Sequence, residues 1–336
     1  MTIDDALLAR LRLRATALRA ARAFFDTRGF FECETPMLVP GPGLEPHIDP
    51  LVVDIVTSPG EAPARRYLHT SPELALKRVV AAGAPRVYQL ARVFRDGERT
   101  ARHLPEFTLL EWYRAGATLD ALLDDVVSLA RAIASALGDD ASPHAVDALT
   151  VDVERAAVDA LFRAHAGVEL RAALVEMRQG FPLALVDRVR ALGVPLRPDA
   201  DFEDAFFEVM ARFVEPVIGR GRLAVVERWP AQMAVLARAC VDDPLFAERF
   251  EIYVDGLELC NAFFELSDPV EQRARFEEDN RTRARLGKPT LPLDEEFLAA
   301  LAHLPPTSGI ALGFDRLLMW LTGKPHIDDV QPLVWR

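Results

Sequence analysis

Glu251 and Glu258 stand on either side of a predicted hairpin turn, and their spacing places two carboxylates on one face of a sheet. The turn is Asp255-Gly256, a dipeptide favoured in two-residue hairpin loops. Pairing outward from it sets Tyr253 opposite Glu258, and Glu251 opposite Cys260. Two carboxylates placed diagonally can hold a hard cation together with phosphate groups. A solvated sheet face that carries two acids explains the same pattern.

A third glutamate, Glu265, lies seven residues beyond Glu258. Because side chains alternate along a strand, this odd separation turns Glu265 to the opposite face of an unbroken strand. A bulge or a bend would bring it back, and the sequence pattern predicts neither. The hairpin residues predicted to face the core are Phe250, Ile252, Val254, Leu257 and Leu259.

Two further strands are predicted at residues 87–95 and 107–114, joined by a polar loop rich in arginine. Alternation places Phe107, Glu111 and Tyr113 on one face of the second strand. Arg95 ends the first strand and is a candidate for a bidentate grip on a carboxylate or a phosphate. An ordinary ion pair with a nearby acid remains the alternative for Arg95.

A helix is predicted from Pro72 to Ala82, with Ser71 as its N-cap and Pro72 as its first residue. Glu73 in the first turn is what any helix start prefers, so this segment has an ordinary structural explanation.

Near the C-terminus, Gly309 and Gly313 bracket a tight strand-to-helix turn, which turn chemistry alone can explain. Arg316 follows in the first turn of the last helix, where the helix dipole favours acids instead. A functional arginine stacked on an aromatic or purine ring would account for this placement.

Composition limits the class of protein. The 336 residues are half apolar and 27% charged, as in a globular protein, and no apolar run is long enough for a membrane helix. The N-terminal segment has scattered arginines and does not resemble a signal peptide, so we expect a cytoplasmic protein. The net charge of −12 argues against a surface that coats nucleic acid. Neither a Walker-type loop nor a dinucleotide fingerprint is present.

The element pattern predicts one α+β domain over residues 1–336, with a mainly antiparallel sheet flanked by helices. A helical insertion is expected at about residues 118–225. Other elements predicted from the same pattern are a helix over 5–28, strands over 30–36 and 51–56, and a helix over 269–286.

Taken together, these segments resemble the three signature motifs of class II aminoacyl-tRNA synthetases, in their lysyl version. The agreement covers roughly the whole chain, with several motifs in the right order. The matching segments are Gly29 to Pro36 for motif 1, Phe94 to Thr108 for motif 2, Gly309 to Arg316 for motif 3, and Glu258 to Glu265 with Gln272 to Phe276 for the lysyl-specific part.

The resemblance implies the class II catalytic fold, a homodimer built on motif 1, and activation of a carboxylate with ATP and Mg²⁺. It implies that Arg95 and Arg316 are catalytic and that Glu251 and Glu258 hold the metal. The implied ATP-binding residues are Arg95, Asp96, Gly97, His103, Phe107, Glu258, Leu259, Gly313 and Arg316. The implied substrate-binding residues are Ser71, Pro72, Glu73, Glu111, Tyr113, Asn261, Glu265 and Ala311.

Motif 1 begins by about residue 20, which leaves no room for the anticodon-binding barrel of lysyl-tRNA synthetases. A free-standing catalytic domain of this kind is similar to the elongation factor P–(R)-β-lysine ligases, which join β-lysine to a lysine of elongation factor P. We therefore expect (R)-β-lysine and elongation factor P as partners, with tRNA disfavoured and no membrane partner. The alternatives are a truncated lysyl-tRNA synthetase that charges tRNA or a tRNA-like acceptor, and an inactive paralogue, which the intact Arg95, Arg316, Glu251 and Glu258 disfavour.

Four positions depart from the lysyl-synthetase pattern: Leu104 replaces Asn, Gly97 replaces Glu, Ala262 replaces Gly and Ala311 replaces Gly. Glu98 is a candidate substitute for the acid missing at Gly97. The extra methyl of Ala311 can change which lysine isomer fits, and this supports the ligase over the synthetase.

Overall fold

The computed structural model describes residues 5–331 and residue 333. The α-helices are α1 (Asp5–Asp26), α2 (Glu73–Ala81), α3 (Leu119–Leu137), α4 (Pro143–Ala148), α5 (Val158–Leu161), α6 (Leu170–Arg178), α7 (Ala184–Ala191), α8 (Phe202–Val209), α9 (Pro269–Arg285), α10 (Glu295–Leu301) and α11 (Phe314–Thr322). The strands are β1 (Phe31–Glu32), β2 (Leu38–Val39), β3 (Val52–Ile55), β4 (Ala64–Leu68), β5 (Arg86–Phe94), β6 (Glu106–Ala115), β7 (Glu154–Ala157), β8 (Ala224–Pro230), β9 (Phe246–Val254), β10 (Leu257–Phe264) and β11 (Thr307–Gly313). The predicted α+β class is confirmed.

The chain divides into two compact units, one containing the residues up to Val146 and from Glu265 onward, the other Asp147–Phe264. The prediction of one catalytic domain over 1–336 is not decided by this division and stays a prediction. Residues 1–4, 332 and 334–336 of this predicted domain lie outside the described residues. Among the described residues, no helix is both long and apolar enough to cross a lipid bilayer.

In the first unit, the strands β1, β5, β6 and β11 are neighbours in that order. The β5–β6 and β6–β11 pairs are antiparallel, and β1 pairs parallel to β5. Helix α1 packs on this sheet through Phe25, whose ring stacks on Tyr88 at 4.4 Å between centroids and lies 5.3 Å from Trp112. A separate three-stranded sheet has the order β2-β4-β3. The predicted strand over residues 30–36 is therefore reduced to two residues.

In the second unit, β7, β8, β9 and β10 are neighbours in that order, and only the β7–β8 pair is parallel. Helices α5 to α8 cover this sheet around a core that includes Phe162, Phe206 and Trp229. The region predicted as a helical insertion thus also contains a strand, β7.

The hairpin turn at Asp255-Gly256 is confirmed, because both residues have positive φ (49° and 73°) and join β9 to β10. The first pairs match the prediction, with Glu258 opposite Tyr253. The register then shifts between Glu258 and Cys260, so Asn261 and not Cys260 lies opposite Glu251. One extra residue at a bulge accounts for this shift.

The bulge also changes the alternation that the sequence predicted beyond Glu258. With one residue inserted, Asn261 and Phe263 lie opposite Glu251 and Arg249, which the unbroken strand of the prediction could not place there.

Ser71 is not the N-cap of α2, because the helix begins one residue later and Pro72 occupies the cap position. The Ser71 hydroxyl nevertheless accepts a hydrogen bond from the Glu73 amide at 3.0 Å. This local bond fixes the side chain of Ser71 at the start of the helix.

Candidate active site

A buried polar cluster joins the start of α2 to the middle of β6. The Ser71 hydroxyl donates to Oε1 of Glu111 at 2.6 Å, and the Tyr113 hydroxyl donates to Oε2 of the same carboxylate at 3.0 Å. Glu111 is fully buried and Tyr113 nearly so. Alternation along β6 puts both side chains on one face, as predicted, so the structure brings these predicted substrate-binding residues together.

Glu265 completes this cluster in the first unit. The residue is 2% exposed, and Nζ of the buried Lys77 lies 2.5 Å from Oε2 of Glu265 and 2.5 Å from Oε1 of Glu73. Oε1 of Glu265 is buried and accepts no hydrogen bond from any described residue. A buried carboxylate oxygen without a donor is costly unless a cation or a donor reaches it.

Gly309 is required beside this carboxylate. It pairs with Tyr113 across β11 and β6, and a Cβ at position 309 would overlap both Oε1 of Glu265 and the Tyr113 ring. Two positions further along β11, Ala311 lies opposite Glu111. The methyl of Ala311 therefore belongs to the strand position that faces the carboxylate cluster, as the resemblance implies.

Burial controls the protonation of this cluster. Loss of hydration, followed by the charge of Glu73, raises the pKa of Glu111 to about 8. Burial also raises the pKa of Glu265 to about 8, against the opposing effect of Lys77. Burial alone would lower the pKa of Lys77, but the Glu265 and Glu73 carboxylates outweigh it and raise that pKa. A cation placed beside Glu111 and Glu265 would favour their ionised forms and so oppose the effect of burial on both pKa values.

The arginine of motif 2 lies at the end of β5. The Arg95 guanidinium lies over the Phe107 ring, 5.1 Å from its centroid, and 3.8 Å from the Glu98 carboxylate. The contact with Glu98 is the kind of ordinary ion pair named above as the alternative for Arg95. The role of Glu98 as a substitute for the acid missing at Gly97 stays a prediction. In the adjacent turn, the Gly97 amide donates to the Asp96 carboxylate at 2.9 Å, and Gly97 has a φ of +77° that favours glycine.

The arginine of motif 3 lies in the first turn of α11. Arg316 hydrogen-bonds through Nη2 to Nε2 of His103, which connects motif 3 to the motif 2 loop. The aliphatic part of Arg316 runs along Gly313, where an added Cβ would lie 3.5 Å from its Cδ. Leu104, which departs from the synthetase pattern, is a buried core residue.

The second unit places Glu251, Asn261 and Glu258 on the β9–β10 hairpin. Arg249 donates to Oε1 of Glu251 at 2.6 Å and to the amide oxygen of Asn261 at 3.1 Å. The Tyr253 hydroxyl donates to Oε2 of Glu251 at 2.6 Å. The Leu259 side chain is buried, and its position coincides with the register shift. The side chains of Glu251 and Asn261 are thus held in place by the same residue, Arg249.

Glu251 and Glu258 are the carboxylates that a magnesium ion would use. Burial and the charge of Glu258 raise the pKa of Glu251 to about 7, so the two carboxylates repel each other. A divalent cation would relieve this repulsion, and Mg²⁺ usually takes one or two protein carboxylates together with phosphates. Among the described residues, no group of three or more His, Cys, Asp or Glu side chains is arranged so that it could hold a metal ion by itself. The donor set therefore fits a metal shared with ATP, and the assignment stays a prediction.

Sequence reasoning missed Lys77 and Arg249. Lys77 lies four residues after Glu73 on α2, between the buried Leu76 and Val80. A charged residue on the apolar face of a helix indicates a buried ion pair, and the sequence alone shows this pattern. Arg249 lies two residues before Glu251 on the same strand face, which alternation also makes visible.

The family of the chain follows from comparison with known proteins. The family model for tRNA synthetases class II (D, K and N) matches residues 2–334. The chain belongs to this family. Members of the family activate a carboxylate with ATP, so ATP use follows from membership.

Curated relatives place the chain more narrowly. A protein of Edwardsiella ictaluri is 38% identical over 97% of this chain and 95% of its own length. Proteins of Vibrio cholerae (36% identical, 98% and 96% covered) and Hamiltonella defensa (35% identical, 97% and 95% covered) are similar to the same degree. All three are named elongation factor P–(R)-β-lysine ligase. The chain is a ligase-type member of the class II family.

Proposed function

We propose that this protein activates (R)-β-lysine with ATP and transfers it to a lysine side chain of elongation factor P. The observation that carries the proposal is the buried cluster of Glu73, Glu111 and Glu265, in which Oε1 of Glu265 accepts no hydrogen bond from the described residues. Such a cluster selects a substrate with amino groups. The names of the relatives supply the identity of the amino acid and of the acceptor.

In the amino-acid site, the carboxylates of Glu265, Glu73 and Glu111 would receive the ammonium groups of the substrate. Ser71 and Tyr113 hold Glu111 through both of its oxygens, so this carboxylate cannot rotate freely. Pro72 fixes the chain entering α2. The resemblance assigns Asn261 to the substrate carboxylate, and within the second unit its amide oxygen accepts a hydrogen bond from Arg249. These contacts would orient the substrate without a covalent intermediate on the protein.

In the ATP site, Arg95 would bind the α-phosphate and the substrate carboxylate, while Phe107 and Arg316 would sandwich adenine. Asp96, Gly97, His103, Gly313 and Leu259 would contact the nucleotide as the resemblance implies. Glu251 and Glu258 would hold Mg²⁺, which when bound neutralises phosphate charge. Arg95 stabilises negative charge that develops when the substrate carboxylate attacks the α-phosphorus and pyrophosphate leaves.

Transfer requires a neutral amine from the acceptor. The lysine nitrogen of elongation factor P attacks the carbonyl carbon of the adenylate, the bond to AMP breaks, and the new amide nitrogen loses a proton. Arg99 and Arg102 on the exposed motif 2 loop would orient the acceptor. The net charge of −12 gives little non-specific attraction to RNA. Because the acceptor is a translation factor, we place the reaction in the cytoplasm.

We also propose a homodimer that uses the motif 1 region. Large apolar side chains are exposed at Phe31, within the segment that resembles the dimer-forming motif, and at Met37 and Leu38 directly after it. Sedimentation of the wild type and of Phe31→Glu tests this, with a dimer expected for the first and a weakened dimer for the second. A monomeric wild type would contradict it.

The deciding experiment follows radiolabelled (R)-β-lysine with ATP into elongation factor P from the same organism. Label on the protein is expected, and replacement of the acceptor lysine should abolish it. Total tRNA serves as the competing acceptor in a parallel reaction. Labelled tRNA with unlabelled protein would overturn the proposal and favour a truncated lysyl-tRNA synthetase.

A further inference from the structure

Lys77 is a buried cation inside the carboxylate cluster. Its side chain is 1% exposed, and its Nζ lies 2.5 Å from both Oε1 of Glu73 and Oε2 of Glu265. Burial of an ammonium group costs several kcal/mol unless opposite charges are in contact with it. The two ion pairs explain why a lysine is stable on the apolar face of α2.

The arrangement leaves the two oxygens of Glu265 in different states. Oε2 is paired with Lys77, while Oε1 lies against Gly309 and the Tyr113 ring and accepts no hydrogen bond from a described residue. Lys77 therefore fixes the rotation of the Glu265 carboxylate. The oxygen that remains is the one directed at the strand positions occupied by Gly309 and Tyr113.

We propose that Lys77 is a positioning residue for amino-acid binding, a built-in counter-ion that holds Glu73 and Glu265 so that Oε1 of Glu265 receives a substrate ammonium group. This inference rests on the proposed function, because it assumes that the cluster is the amine site. Lys77 touches neither the substrate nor the reacting atoms in this scheme. It acts through the two carboxylates that it holds.

The charges around Lys77 make the effect measurable as a pH dependence. The charged and titratable groups that face the cluster are Glu45, Glu73, Arg95, Glu111, Tyr113 and Glu265. Ammonium binding requires ionised carboxylates. Without Lys77, Glu265 loses its nearest cation, so ionisation of this carboxylate needs a higher pH. Amino-acid affinity should then rise at a higher pH than in the wild type.

The experiment measures binding of (R)-β-lysine by calorimetry between pH 6 and 9, and the KM values for the amino acid and for Mg-ATP. In Lys77→Met, we expect the acid-side midpoint of binding to move up by about one pH unit. We expect the KM for the amino acid to rise by about tenfold or more while that for Mg-ATP changes little. Lys77→Arg retains the charge and should keep the wild-type midpoint.

The matched control is Arg78→Met at the next residue, whose partly exposed side chain pairs with the exposed Glu296. This variant should leave the pH midpoint of amino-acid binding and the KM values for both substrates unchanged. If Lys77→Met does not fold, Lys77→Gln, which can still donate a hydrogen bond, is compared with Lys77→Arg, and the midpoint should move only in the variant that has lost the charge.

Two failures can be told apart. A wild type that binds no lysine isomer would contradict the proposed function. A wild type that binds, together with an unchanged midpoint in the Lys77 variants, would overturn the role of Lys77 alone.

Discussion

Arg14 and Asp315 form a buried ion pair that connects the first helix to the last, with Nη1 of Arg14 2.5 Å from Oδ1 of Asp315. Arg14 also donates through Nη2 to the Thr108 hydroxyl at 2.6 Å. Asp315 in turn accepts from the Thr108 amide at 2.8 Å and from the Gln331 side chain at 2.7 Å. Asp315 immediately precedes Arg316, so this network fixes motif 3 against motif 2.

Removal of one partner from this pair should destabilise the protein strongly. Arg14→Met leaves the Asp315 carboxylate buried without its cation, which typically costs about 3–5 kcal/mol. Urea unfolding measures the change in free energy. The control is Arg22→Met, which breaks the exposed ion pair with Glu32 and should cost at most about 1 kcal/mol. Similar losses in both variants would show that the burial of Arg14 is unimportant.

Local patterns predicted most elements because they depend on neighbours in sequence. The apolar spacing predicted α1, the Asp255-Gly256 dipeptide predicted the hairpin, and alternation placed Glu111 beside Tyr113. The first helix ends at Asp26, two residues before the predicted boundary, and Gly29 with its positive φ lies in the turn that follows.

Other features depend on partners far apart in the chain, and local patterns do not contain them. The register shift beyond Glu258 moves Asn261 opposite Glu251, and no residue in the sequence marks it. Lys77 pairs with Glu265, which lies 188 residues further along the chain. Arg14 pairs with Asp315 across a separation of 301 residues. The site-residue roles that came from the resemblance stay predictions until the variants below are measured.

Arg95 should be essential for adenylation. Arg95→Ala removes one preorganised cation from the α-phosphate, which costs on the order of 3 kcal/mol or more in the transition state. ATP–pyrophosphate exchange with β-lysine should be lost while the protein remains folded. Arg92→Ala is the control, because its partly exposed side chain is 3.7 Å from the partly exposed Glu106. Near-normal exchange in Arg95→Ala would remove Arg95 from the mechanism.

Glu265 should determine amino-acid binding and not metal binding. Glu265→Gln keeps the shape of the side chain and removes the charge that faces the substrate ammonium. The KM for β-lysine should rise far more than the KM for Mg-ATP in steady-state exchange assays. Glu271→Gln on the exposed side of α9 provides the matched control. Equal effects on the KM values for both substrates would show that Glu265 does not act on the amino acid alone.

Ala311 should discriminate between lysine isomers. It lies opposite Glu111, and its methyl group occupies a position that is glycine in the resembling lysyl-tRNA synthetases. One methyl group in a pocket is worth about 1–3 kcal/mol of discrimination. Ala311→Gly should therefore improve activation of α-lysine severalfold relative to β-lysine, measured as the ratio of the two kcat/KM values. An unchanged ratio would place the selectivity elsewhere.

Glu111 should make the unliganded protein less stable as the pH rises. Its pKa is raised by burial to about 8 in the folded protein, against about 4.3 in an unfolded chain. The folded state therefore retains a proton that the unfolded state has lost. The stabilisation is complete below about pH 4.3, declines as the pH increases, and is lost as the pH passes through about 8.

Glu111→Gln removes this titration, so the free energy of unfolding should fall less steeply with pH than in the wild type. Urea unfolding between pH 5 and pH 9 measures both slopes, and their difference isolates Glu111 from other titrating groups. Glu296→Gln is the control, because this carboxylate is exposed to water and its removal should leave the slope unchanged. Parallel curves for the wild type and Glu111→Gln would mean that Glu111 is already ionised at neutral pH, and its hydrogen bonds from Ser71 and Tyr113 would then be the reason.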